Sequence, residues 1–165
     1  MSNRPVRLMI DTNVWIDNYC GWHKDSASCK RLLAMACAKG YELYYPVHVL
    51  KDVLYMTGLE YKRQARQHNG SLTEADAMGA QEVALGCMRN LMELATPVGA
   101  DRSDIWLANK YLPVHHDFED NLVLAACKRV KADYLVTNDL KLIQNADVLA
   151  KTPAQMIELI KLGGL

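Results

Sequence analysis

The stretch that decides the fold is Arg7-Leu8-Met9-Ile10-Asp11-Thr12-Asn13. Its three consecutive apolar residues show no polar alternation, which is typical of a strand buried on both faces of a parallel sheet. The apolar run ends at Asp11, and the next two residue types readily hydrogen-bond nearby backbone. Ligands of open α/β sheets bind beyond the carboxyl ends of the strands, where Asp11 is expected to lie. Asp11 is therefore a ligand-binding acid or a cap of the next helix, and only further acids in matching places favour the first interpretation.

A second strand end repeats this pattern late in the chain. The apolar run Tyr134-Leu135-Val136 is followed by Thr137, Asn138 and Asp139. Alone, Asp139 would be interpreted as a turn residue. Two strand ends of the same kind make coincidence less credible, and they favour a site at one edge of the sheet.

A third group of acids lies at the start of a predicted helix. Asp117 and Asp120 are three residues apart, which predicts that both carboxylates share one face of the first turn and that Glu119 points elsewhere. Capping explains Asp117 as well as function does. Asp120 is favoured as functional because the apolar residues after it can bury the helix. The adjacent pair His115-His116 raises the hypothesis of a zinc site, but no partner lies at ligand spacing.

A fourth acid, Asp52, lies within a helix predicted over about 47–67. It is expected at the edge of the buried face of that helix. A surface aspartate paired with Lys51 or His48 is the slightly preferred interpretation from these residues alone. The predicted buried face consists of Leu50, Val53 and Leu54.

Strands and helices alternate along the chain, which predicts a three-layer α/β/α sandwich around a mostly parallel sheet of four to five strands. The length favours a single domain over 1–165. The predicted strands are 8–10, 42–45, 95–99, 134–137 and a short 148–150, with Pro97 restricting the third to an edge. The predicted helices cover about 14–19, 26–38, 47–67, 73–94, 101–111, 117–131 and the residues after 152.

Composition narrows the classes of protein to consider. Lys plus Arg (19) equals Asp plus Glu (19), so no global positive field attracts nucleic acid, and any RNA contact requires a local patch. No apolar run approaches the roughly 18 residues of a membrane span, and no signal-peptide region precedes the first strand. The five cysteines, Cys29 and Cys37 among them, have no zinc or Cys-x-x-Cys spacing, so we interpret them as reduced core residues of a cytoplasmic protein.

The densest basic segment lies near the end of the predicted helix over 47–67. Its Lys62, Arg63 and Arg66 are candidates for binding RNA phosphates. A solvated helix end, which favours cations in any protein, explains them equally well. Trp22 and Trp106 are expected in the core rather than as platforms for base stacking.

Three of these segments together resemble the PIN-domain family. They are Asp11-Thr12-Asn13, the Asp-Phe-Glu-Asp of residues 117–120, and Thr137-Asn138-Asp139. Members of that family are small metal-dependent ribonucleases, and many, the VapC-like ones, are toxins of bacterial and archaeal toxin–antitoxin pairs. The order of elements agrees over nearly the whole chain, whereas the specific motifs cover only short segments.

The resemblance implies four catalytic acids, which are Asp11, Asp52, Asp120 and Asp139. Converging carboxylates repel one another, and Mg²⁺ or Mn²⁺ would relieve that repulsion. The expected metal ligands are Asp11, Asp117, Asp120 and Asp139, and the residues expected to orient them are Thr12, Asn13, Thr137 and Asn138. The chain departs from the family pattern in two places: the second acid is usually Glu, and Leu142 replaces an aromatic residue often found after the fourth acid.

The function implied is that of a metal-dependent endoribonuclease acting as a toxin, with an antitoxin protein as partner and a homodimer as the candidate assembly. A catalytically silent PIN-like module that binds RNA or protein is the main alternative, because Asp52 replaces the usual Glu. A phosphatase with Asp11 as nucleophile is a third hypothesis. It is weakened by Asn13, which stands where such enzymes usually have a second acid.

Overall fold

A parallel sheet forms the centre of the structure, a computed structural model that describes residues 4–164. Its strands are β1 (Arg7–Ile10), β2 (Glu42–Pro46), β3 (Thr96–Val98), β4 (Tyr134–Val136) and β5 (Ala150–Lys151). Their order in the sheet is β3-β2-β1-β4-β5, and every neighbouring pair is parallel. The strand containing Pro97 lies at an edge, as predicted. The fifth strand begins two residues later than the predicted 148–150.

Helices cover both faces of the sheet. They are α1 (Thr12–Tyr19), α2 (Ser26–Ala38), α3 (Val49–Asn69), α4 (Glu74–Leu94), α5 (Arg102–Tyr111), α6 (Phe118–Val130), α7 (Leu140–Asn145) and α8 (Pro153–Lys161). The sequence analysis did not predict α7. It has only six residues, too few to show a helical period.

The residues of β1 show why the sheet has two covered faces. Leu8 and Ile10 belong to a buried cluster with residues of α1, α2, α3, α4 and α8. Met9, which alternates with them, belongs to a second cluster with α6 and α7. All three side chains are fully buried. The predicted three-layer α/β sandwich is therefore confirmed.

The helices α3 and α4 form a hairpin beside the sheet. Gly70 ends α3 with a left-handed φ of 75°, which glycine adopts at little cost. Gly58 lies against Ala84 of α4, where an added Cβ would meet the alanine Cβ at 3.6 Å. The predicted buried face of this helix is partly wrong, because Leu50 and Leu54 are only half-buried. The buried residues of α3 are Val49, Val53, Thr57 and Gly58.

Three predicted core residues are exposed instead. Cys37 lies on the surface, because eight residues of helix rotate it by about 80° from the buried Cys29. Trp106 is 63% exposed, since it faces away from Asp104 and Ala108 on the buried side of α5. Trp22, 39% exposed, lies between α1 and α2. Within residues 4–164, no helix has both the length and the apolar character that crossing a bilayer requires.

Candidate active site

Two neighbouring strand ends bring Asp11 and Thr137 together. Ile10 is opposite Val136 in the β1–β4 pair, and the Asp11 backbone N–H donates to the Val136 carbonyl at 3.0 Å. The Thr137 hydroxyl donates to Asp11 Oδ2 at 2.7 Å. The position lies beyond the carboxyl ends of the strands and beside β1, where the strand order reverses, which is where ligands of such sheets bind.

The carboxylate of Asp11 is held by several donors. The Thr12 backbone N–H donates to Oδ1 and the Asn13 amide donates to Oδ2, each at 2.7 Å. The Asn13 amide oxygen accepts from the Asn138 backbone N–H at 3.0 Å. Thr137 joins this group, because its hydroxyl accepts from the Asn13 amide and donates to Asp11. The four residues expected to orient the acids therefore form one hydrogen-bonded group around Asp11.

Burial perturbs the protonation of Asp11, which is only 5% exposed. Loss of hydration raises its pKa to about 6, and the charges of Asp120 and Asp139 act in the same direction, against the hydrogen bonds from Thr137 and Thr12. A buried carboxylate near other acids is stabilised by a bound cation. The donor set around Asp11 therefore fits a divalent metal ion.

Asp120 lies in the first turn of α6 and faces the same pocket as Asp11. Burial raises the pKa of Asp120, with Asp117 and Asp139 adding to the shift and the hydrogen bond from His115 opposing it. His115 Nε2 lies 2.7 Å from Asp120 Oδ2. The Asn121 amide donates to the His115 backbone carbonyl at 2.8 Å and holds this loop against α6.

The contact of His115 with the Asp120 carboxylate is one that the sequence analysis did not predict. The His115-His116 pair directly before the acids was its only signal. The zinc site considered for that pair does not match the structure, because His115 contacts Asp120 while His116 is exposed.

Asp117 and Asp139 both cap helices. Oδ1 of Asp117 accepts from the backbone N–H groups of Glu119 and Asp120, at 2.9 and 3.2 Å. Oδ1 of Asp139 accepts from those of the second and third residues of α7, at 2.7 and 3.1 Å. Asp139 lies close enough to raise the pKa of Asp11 and Asp120. Asp117 is exposed, and neither cap lines the pocket in front of Asp11.

That pocket has a volume of about 310 Å³. Three of the four predicted catalytic acids line it, Asp11, Asp52 and Asp120, and Glu119 lines it as well. The prediction that Glu119 points elsewhere is therefore wrong. It applied helical spacing from Asp117, but Asp117 precedes the helix with an extended backbone (φ −83°, ψ 112°), so that spacing does not hold.

Asp52 is both a pocket residue and a member of an ion pair, so the functional and the structural interpretation of this acid both apply. It lines the pocket, and its Oδ1 lies 3.1 Å from Lys51 Nζ. The Asp52 side chain is 19% exposed and that of Lys51 is 77% exposed, so the lysine can leave the pair with little cost.

A second polar network connects Asn138, beside the Asp11 group, to side chains of α1 and α3. The Asn138 amide donates to Asp17 Oδ2 at 2.7 Å, and Asp17 Oδ1 lies 2.7 Å from His23 Nδ1. His23 Nε2 lies 3.4 Å from Glu60 Oε2. Burial lowers the pKa of His23, but Asp17 and Glu60 raise it, and the net shift is upward. The sequence analysis missed this network, because its members come from α1, α3 and two separate loops.

The predicted RNA-binding residues lie along α3 in different environments. Arg63 pairs with Glu60 at 3.0 Å. Lys62 lines a groove with Lys51 and Tyr55, and Tyr55 also lines the acidic pocket. We call the face that carries Lys51, Tyr55, Lys62 and, by helical spacing, Arg66 the α3 track.

Comparisons with known proteins agree with this geometry. The sequence model of a family described as PIN domain matches residues 7–141. Among solved structures, VapC20 of Mycobacterium tuberculosis, a toxin that cleaves the sarcin–ricin loop, has a TM-score of 0.65 at 13% identity, covering 86% of this chain and 97% of that chain. VapBC2 of Rickettsia felis, solved with a DNA fragment from its promoter, has a TM-score of 0.62 at 14% identity, covering 89% of this chain and 98% of that chain. At these identities the two structures establish a shared fold. The comparison with curated proteins gave no significant match.

Proposed function

We propose a function for this protein from two findings: the chain belongs to the PIN-domain family, and three of its acids meet in one pocket at the carboxyl end of the sheet. The protein is a metal-dependent endoribonuclease that hydrolyses RNA phosphodiesters. The observation that carries this proposal is the buried carboxylate of Asp11 facing the same pocket as Asp52 and Asp120.

The acids fit a hard divalent cation, Mg²⁺ or Mn²⁺, because both bind carboxylate oxygens. Asp11, Asp120 and Asp139 are the proposed ligands, with Asp117 as a further candidate, and Asp52 lines the same pocket as Asp11 and Asp120. When bound, the ion supplies a water of lowered pKa and stabilises charge on the phosphate oxygens.

The residues around the acids prepare this chemistry. Thr12, Asn13 and Thr137 fix the Asp11 carboxylate in one orientation. His115 Nε2, 2.7 Å from Asp120 Oδ2, orients that carboxylate. The remaining wall includes apolar side chains, which limit water and strengthen the electrostatic interactions of the site. These side chains are Ile16, Met56 and Val123.

RNA would approach along the α3 track. Lys51 and Lys62 line one groove, and they would bind successive phosphates. Tyr55, 64% exposed and shared by the groove and the pocket, would stack on a base of single-stranded RNA. The sarcin–ricin loop named for VapC20 supports RNA as the substrate class.

A toxin–antitoxin setting follows as the biological context we propose. VapC20 is a toxin, and VapBC2 was solved on DNA from its own promoter. We therefore propose an antitoxin protein as partner and the cytoplasm as the place of action. Self-association as a homodimer stays a prediction.

The experiment is incubation of purified protein with single-stranded RNA in Mg²⁺, in Mn²⁺ or in EDTA, alongside a phosphate monoester. We expect RNA cleavage with either metal and none in EDTA. Asp11→Asn should be inactive, whereas the matched change Glu82→Gln, at an exposed acid on α4, should be fully active. Undiminished cleavage in EDTA would refute the metal mechanism. Metal binding without cleavage would favour the silent module, and monoester hydrolysis alone would favour the phosphatase.

A further inference from the structure

We propose that His48, Asp52 and Glu119 form a second cation site, of mixed nitrogen and oxygen donors, that selects first-row transition-metal ions over Mg²⁺. One ligand atom from each of the three residues lies within 4.8 Å of the other two. All three residues line the same pocket as Asp11. It shares no residue with the ligands proposed above for the catalytic ion.

His48 supplies the observation that points to a ligand. Its Nε2 atom is buried and has no hydrogen-bond partner within residues 4–164. Buried polar atoms in folded proteins nearly always have a partner, so an unpaired ring nitrogen requires an explanation. A ring nitrogen of neutral imidazole that bears no hydrogen has a lone pair that a metal ion can bind.

Two elements bring the three side chains together. His48 and Asp52 are four residues apart at the start of α3, and the Asp52 backbone N–H donates to the His48 carbonyl at 3.3 Å, so both side chains share one face. Glu119 approaches from the first turn of α6. A site built between two helices would also fix the width of the pocket through which RNA enters.

Lys51 shows that this place attracts positive charge. Its ammonium group lies 3.1 Å from Asp52 Oδ1. A highly exposed lysine is a weak competitor. The group therefore already attracts a positive charge, and an ion with two charges would displace it.

The donor set determines the selectivity. Mg²⁺ strongly prefers oxygen ligands, whereas imidazole suits Zn²⁺, Fe²⁺, Ni²⁺ and Co²⁺. A site with one imidazole and two carboxylates should therefore prefer the latter ions. The inference rests on the proposed function only in that the pocket admits divalent cations, and its test contains no RNA.

The experiment is titration with Co²⁺, followed by its visible absorption, and with Mg²⁺ by calorimetry, on the full chain. Wild type should bind Co²⁺ with visible absorption bands shifted and intensified relative to those of aqueous Co²⁺. His48→Gln and Glu119→Gln should each weaken Co²⁺ binding by about tenfold or more, and both should bind Mg²⁺ as wild type does. Lys51→Gln should strengthen Co²⁺ binding. Glu119 is exposed, so its variant tests the site without a risk to folding.

Two controls decide the outcome. His116→Gln changes an exposed histidine in the loop before α6, and this variant should bind Co²⁺ as wild type does. Asp11→Asn should retain the Co²⁺ site. No Co²⁺ binding by wild type, unchanged binding by His48→Gln and Glu119→Gln, or its loss in Asp11→Asn would each overturn the inference. His48-dependent Co²⁺ binding without RNA cleavage would refute the proposed function alone, whereas cleavage with no such binding would refute this site alone.

Discussion

The hydroxyl of Thr137 donates a 2.7 Å hydrogen bond to the buried carboxylate of Asp11, although 126 residues separate the two in the sequence. The bond joins the carboxyl ends of the neighbouring strands β1 and β4. It also opposes the effect of burial on Asp11, since it lowers a pKa that loss of hydration raises. The first prediction follows from this pair.

Thr137→Val should weaken Mn²⁺ binding by about tenfold, because a residue that orients a metal ligand typically contributes that much. It should also lower the free energy of unfolding by about 1–3 kcal/mol, since a buried carboxylate loses a donor. Calorimetry and urea melts measure the two effects. Thr137→Ser keeps the hydroxyl and should restore most of both. Equal losses in the valine and serine variants would show that packing, not the hydrogen bond, matters at this position.

The buried Asp11 predicts a specific pH dependence for the metal-free protein. Its pKa is raised from 3.8 to about 6 in the folded state, so folded Asp11 binds its proton more tightly than the unfolded chain does. Its contribution to stability is therefore complete below about pH 4 and is lost as the pH rises through about 6. We expect the free energy of unfolding of wild type, minus that of Asp11→Asn, to fall over this interval by on the order of 3 kcal/mol.

Urea melts in EDTA at a series of pH values test this prediction. The quantity to compare is the free energy of unfolding of wild type minus that of Asp11→Asn. Other acids titrate in the same pH interval, but their contributions are common to both proteins and cancel in this difference. A parallel pH dependence of wild type and Asp11→Asn would contradict the burial of a titrating carboxylate.

Asp120→Asn should damage RNA cleavage far more than Glu119→Gln when Mg²⁺ is the only metal. Asp120 is half-buried, held by His115 and close to Asp139, whereas Glu119 is exposed. We expect kcat/KM to fall by about a hundredfold or more for Asp120→Asn, as when a preorganised charge is removed from an active site. Glu119→Gln should cost about tenfold or less. Similar losses measured on the same RNA would mean that the two carboxylates have equivalent roles.

The α3 track predicts unequal roles for two adjacent basic residues. Lys62→Gln should weaken RNA binding and reduce the slope of log K against log salt by about one, because one phosphate contact is lost. Arg63→Gln should change that slope less, since Arg63 is paired with Glu60. Binding of a non-cleaved RNA to Asp11→Asn protein at several salt concentrations measures both slopes. A larger effect from Arg63 would place the RNA on the opposite face of α3.

Local patterns were sufficient to predict the architecture. The apolar run of β1 and the alternation of strands with helices predicted the parallel sheet, and the acids after β1 and β4 indicated the edge of the sheet where Asp11 and Thr137 meet. These features can be predicted because each depends on a few consecutive residues. An apolar run predicts a buried strand, and the polar residues after it mark the end of that strand.

Tertiary structure alone decided which groups share the pocket. His48 and Glu119 come within 4.8 Å of each other only because the start of α3 and the first turn of α6 meet in the fold, and no spacing along the chain encodes that approach. The exposed Cys37 and Trp106 are wrong predictions of the same origin, since local pattern does not reveal which face of a helix a neighbour covers. The sequence by itself determined the secondary-structure elements and the edge of the sheet where the candidate site lies. The packing of helices against the sheet determined the width of its pocket and the side chains available to bind a cation.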